Sequence, residues 1–79
     1  MNKDEQRKRI GRRIADLRKT FKWTDDAGIN RTGMTQKEFG ERCGIAQGHI
    51  ARIEGGKYSI GFDVLQSVAE ALGKNVDIV

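Results

Sequence analysis

The chain has 79 residues, 15 Lys+Arg against 11 Asp+Glu for a net charge of +4, 37% hydrophobic content and a single cysteine. That length supplies one domain, 1–79. A lone cysteine argues against a disulfide-stapled secreted scaffold, and no apolar run approaches the about 18 residues a membrane span needs. Met1-Asn2-Lys3-Asp4 leads into charge and not into an apolar stretch, so no secretory signal is read and a cytoplasmic protein is expected. The charge is uneven: residues 1–22 carry nine basic and three acidic side chains, residues 23–79 six basic and eight acidic. A basic end suits a polyanion, nucleic acid or an anionic membrane surface, but also a solvated helix face.

In chain order, Ile10, Ile14, Leu17 and Phe21 recur at helical spacing and predict a first helix from Asp4 to about Phe21. Asp4 and Glu5 stand at its start, where the helix dipole favours acids. Arg7, Arg9, Arg12, Arg13 and Lys19 fall mostly off the apolar stripe. Residues 22–33, KWTDDAGINRTG, show no period and read as a long loop, with Trp23 as its one large apolar anchor. Thr35 followed by Glu38 is a capping box. It predicts a second helix over Gln36–Cys43, stopped by Gly44 in the left-handed conformation. A third helix follows from Ala46 to Gly55 with Ile50 and Ile53 on its apolar face. A fourth runs from Gly61 to Leu72 with Phe62, Leu65, Val68, Ala69 and Leu72 as its stripe, closed by Gly73. Asn75–Val79 alternates and is β-branched, which predicts a short strand. Val76 and Ile78 would either close the core or pair with the same strand of a second subunit.

Two short helices joined at Gly44 form a helix-turn-helix arrangement, its core at 35–55. Gly40 fits a point of close crossing between them, since a glycine inside a helix otherwise costs about 1 kcal/mol relative to alanine. Phe39, Cys43, Ile45, Ile50 and Ile53 take the positions that face a shared core. Residues 34–73, MTQKEFGERCGIAQGHIARIEGGKYSIGFDVLQSVAEALG, together with IGRRIADLR at 10–18, resemble the Cro/repressor (XRE) type of helix-turn-helix domain. The resemblance implies an all-α fold of four or five helices and a protein that binds duplex DNA, usually as a dimer on a palindromic site. Bacterial and phage regulators and antitoxins are common members.

The resemblance also assigns roles by position. Gln36 matches a glutamine that approaches the DNA backbone and braces the third helix. Gln47, Gly48, His49 and Arg52 match the outward positions of the recognition helix, where Gln can read adenine and Arg guanine in the major groove. Lys57 and Tyr58 match phosphate contacts. Arg18 and Glu54 match an ion pair linking the first helix to the end of the third. The chain departs from the pattern at Ala46, where Ser or Thr usually caps the helix, at Gly48 and His49, at Ile60 in place of proline, and in its longer connection between the first two helices.

The expected function is transcriptional regulation, most simply repression by a homodimer. The competing reading is an antitoxin that binds a toxin as well as its operator. An enzyme is disfavoured, because one His, one Cys and no clustered carboxylates leave no catalytic site. Cys43 has no partners for a metal, and no cofactor is expected. The Gly-Lys pairs at 56–57 and 73–74 are not phosphate loops, because Ala51 and Val68 stand where such a loop needs its first glycine.

Overall fold

The computed structural model describes residues 2–76. Four helices and one two-stranded sheet follow in the order α1 (Lys3–Thr20), β1 (Lys22–Thr24), β2 (Asn30–Thr32), α2 (Gln36–Cys43), α3 (Gln47–Glu54) and α4 (Phe62–Ala71). Helix α1 starts at Lys3 because Asn2 caps it, the Asn2 side chain accepting from the Glu5 amide at 2.8 Å. Asp4 and Glu5 in the first turn and Arg18 and Lys19 in the last complement the helix dipole. At α2 both halves of the capping box form, and Gly44 ends the helix at φ 72°. Helix α3 has Ala46 at its N-cap and no side-chain cap among the described residues, so the amides of Gln47 and Gly48 have no partner within the helix.

The segment expected to be a loop is a β-hairpin. Its strands pair antiparallel with Trp23 opposite Arg31. Asp25 makes the turn: its amide donates to the Ile29 carbonyl, its carbonyl accepts from Gly28, and its carboxylate accepts from the amides of Ala27 and Ile29. Gly28 supplies the left-handed position, φ 78°, of a three-residue hairpin loop. The hairpin's base is closed, the Gly33 amide donating to the Phe21 carbonyl at 2.7 Å and the Met34 amide to the Arg18 carbonyl at 3.0 Å. The strand expected at Asn75–Val79 lies from Asp77 onward outside the described residues. Asn75 and Val76 themselves are not in a strand.

Ile14, Met34, Phe39, Ile50, Ile53, Val68, Ala71 and Leu72 form the buried core. Phe39, Ile50 and Val68 are its largest fully buried side chains, each worth about 1.5–3 kcal/mol of apolar burial. Leu17, Phe21, Trp23, Cys43, Ile45 and Tyr58 pack around it half-buried. Two residues assigned to apolar stripes leave the core. Phe62 is 65% exposed and Ile10 41%. Phe62 is the first residue of α4 and stands at its open end. Ile10 lines an open groove between α1 and α4, about 420 Å³ and mostly apolar, together with Ile14, Leu65, Leu72 and Val76.

Glycines set how closely the helices approach. A Cβ at Gly40 would lie 2.4 Å from the Ile45 carbonyl, so the tight approach is to the turn leading into α3. A Cβ at Gly11 would lie 2.5 Å from the carbonyls of Ile53 and Glu54. Gly11 therefore seats α1 on the last turn of α3.

Candidate nucleic-acid interface

One buried network fixes the orientation of α3. Arg18 is 8% exposed. Its Nε and Nη2 donate to the two carboxylate oxygens of Glu54 at 2.7 and 2.9 Å, and its Nη1 donates to the Met34 carbonyl at 2.8 Å. The Gln36 side-chain amide donates to the same carboxylate at 3.0 Å. The planar guanidinium suits this bidentate geometry. Glu54 thus ties the end of α3 to α1 and to the first residue of α2, and Arg18 extends the network to the segment before α2. Arg42 makes a second brace, its Nε donating to the Ala71 carbonyl at the end of α4 at 2.9 Å while its guanidinium lies 5.0 Å from the Phe21 ring centre.

Gln47, Gly48, Ala51 and Arg52 form the solvent face of α3, all exposed. Arg52 has no ion pair among the described residues. Among the described residues nothing lies within 4 Å of a Cβ placed at Gly48, so no packing among them explains a glycine there. Lys57 is exposed just past α3, its amide donating to the Arg52 carbonyl at 3.0 Å. His49 differs from an outward-pointing reader. It is half-buried, its ring edge-on to Tyr58 at 4.4 Å and 77°, and its Nε2 is enclosed without a hydrogen-bond partner among the described residues. Tyr58 is itself half-buried against the core. The structure therefore brings Gln47, Gly48 and Arg52 onto one face, with Lys57 at its end. Gln36 sits behind them as a brace, and His49 and Tyr58 lean on each other beside them.

The hairpin flanks α2. Trp23 turns inward, its Nε1 donating to the Gly33 carbonyl at 2.8 Å. Arg31 stacks over its ring at 5.0 Å and pairs with Glu38 at 3.0 Å. The hydrogen bond from the Thr35 backbone amide, with contributions from the Thr35 side chain and Arg31, holds the Glu38 carboxyl below its ordinary value. Burial pushes the Cys43 thiol up to about 11, so at neutral pH it is protonated and weakly reactive. Among the described residues no group of His, Cys, Asp or Glu is arranged to hold a metal ion, and no helix is long and apolar enough to cross a membrane.

A braced two-helix unit with a left-handed glycine between its members, presenting one polar face of its second helix, defines the helix-turn-helix class. Comparison with family models is specific: residues 29–79 match the helix-turn-helix family, and the chain belongs to that family, in its XRE type. Membership supports a DNA-binding transcription regulator. Among solved structures the chain is similar to the clp gene regulator ClgR from C. glutamicum, with TM-score 0.67 and 26% sequence identity over 89% of this chain and 76% of that one. No curated protein matches the sequence.

Proposed function

We propose that the chain is a sequence-specific regulator that inserts α3 into the major groove, most simply repressing transcription by occupying its operator as a homodimer. The observation that carries this reading is the exposed face of Gln47, Gly48 and Arg52 on a helix held from behind by the Arg18–Glu54–Gln36 network. Gln47 and Arg52 read base edges through paired hydrogen bonds. Gly48, with open space beside it, lets the helix backbone come close to the DNA. The uncapped amides of α3 and the side chain of Lys57 hold phosphate. His49, its Nε2 enclosed, supports Tyr58 at the phosphate side in place of reading a base directly.

A homodimer would set two α3 helices about 34 Å apart and so select a two-fold symmetric site. The apolar groove between α1 and α4 supports a protein partner, a second copy in the first instance. A toxin on the same groove is the second reading. Selection of bound duplexes from a random pool tests the whole. A palindromic consensus, with Arg52→Ala relaxing one base pair per half-site by about 1–3 kcal/mol, is the expected result. Lys57→Ala should instead weaken every sequence alike. No enrichment, or identical behaviour of both variants on selected and random DNA, would refute the assignment.

A further inference from the structure

The basic end of α1 divides, in three dimensions, among three surroundings. Arg9 and Arg13 line the apolar groove facing α4. Arg7 turns to Asp4 and to the Ser59 hydroxyl. Lys8 lies against the end of α3. Gly56 sits there at φ 71°, and a Cβ on it would come within 2.7 Å of both Cα and Cγ of Lys8. Only glycine permits this approach. The next residue is Lys57, whose side chain leaves past Gly55, its Cγ 4.0 Å from where a Gly55 Cβ would stand.

Two exposed lysines, distant in sequence, are thus rooted at one spot. Among the described residues neither has a carboxylate within ion-pair distance. Like charges gathered without a counter-charge oppose the compact state, whereas a polyanion bound between them reverses the sign. The spot lies directly past the last turn of α3. We propose that Lys8 and Lys57 form a two-pronged phosphate site, in which α1 grips the DNA backbone beside the C-terminal end of α3. The proposal rests on the DNA-binding reading above and adds to it an anchor from outside the helix-turn-helix.

The test measures affinity for a random-sequence duplex by fluorescence anisotropy across a series of KCl concentrations. It compares the unaltered chain with Lys8→Gln, Lys57→Gln, Lys8→Arg and, as a control on the exposed far end of α1 and outside the groove, Lys19→Gln. Glutamine keeps the stem that packs on Gly56 and removes the charge, and circular dichroism verifies that each variant remains folded. Removing one lysine that neutralises a phosphate should lower the slope of log K against log salt by about 0.9, equivalent to about eightfold weaker binding at 0.1 M salt. Lys8→Gln and Lys57→Gln should each show this effect, while Lys8→Arg and Lys19→Gln keep the original slope. A Lys8→Gln slope equal to that of the unaltered chain, beside a shallower Lys57→Gln, overturns the proposal and leaves the DNA reading standing. Equal reductions in Lys8→Gln and Lys19→Gln overturn it as well, by showing an effect of net charge alone. An unaltered chain that shows no salt-dependent binding removes both.

Discussion

Replacing Arg18 with methionine tests the network that orients α3. Arg18 and Glu54 side chains are 10% and 7% exposed, so the carboxylate left behind would remain enclosed, with only the Gln36 amide as donor. The Met34 carbonyl would lose its guanidinium partner too. Breaking one side of a buried ion pair costs about 3–5 kcal/mol. A domain of this size has a total stability of about 4–12 kcal/mol, at roughly 0.05–0.15 kcal/mol per residue. Arg18→Met should therefore remove between about a quarter and all of the stability at 25 °C. The double variant Arg18→Met/Glu54→Leu removes both charges and restores apolar volume, so it should be no less stable than the single one. The coupling energy of the cycle should be about 2 kcal/mol or more. Urea unfolding followed by far-UV circular dichroism measures each corner. A loss under about 1 kcal/mol in the single variant, or a double variant destabilised by the full sum of the singles, would refute the reasoning.

Glycines of the two helices should respond in opposite directions. Gly40→Ala forces a Cβ to within 2.4 Å of the Ile45 carbonyl and should destabilise by about 1–3 kcal/mol, whereas Gly48→Ala meets open space and should stabilise α3 by up to about 1 kcal/mol; thermal unfolding reads both. The Glu38 carboxyl should titrate below its ordinary 4.5, so its contribution to stability is present above that value and is lost as pH falls through the lower folded-state value; NMR titration of its side-chain carbon, with Thr35→Ala shifting the midpoint up, decides this. Cys43, with its thiol raised to about 11, should react slowly with a disulfide reagent at pH 7 and at the rate of a free thiol once the chain is unfolded; fast labelling of the folded chain would contradict the burial.

The helix boundaries were legible because their signals are local. Thr35 and Glu38 meet across three residues, and Gly44 needs only its own backbone. The hairpin was less so. Asp25-Asp26-Ala27-Gly28 carries a turn signal, but Lys22–Thr24 and Asn30–Thr32 have only Trp23 to send inward, so no alternation of apolar residues marks the strands. Gly11 and Gly56 were illegible for a different reason. Their purpose is approach by a backbone distant in sequence, and no local pattern records it. His49 illustrates the same limit at the interface. Its place on α3 points outward by helical spacing, but Tyr58, brought back by the turn after Gly56, gives the ring something to lean on.

The hairpin's closed base carries a practical consequence. Because Gly33 and Met34 bond directly to the carbonyls that end α1, residues 22–32 leave and rejoin the helical body at one point, as a side branch does. Length changes at the tip around Ala27–Ile29 would add only the slowly growing entropy of a longer loop and would not shift the registry of α1 against α2. The tip is therefore a natural docking port for the experimenter. A fluorophore or affinity tag placed at Ile29, 60% exposed, would report on the molecule without passing through the helices that hold α3.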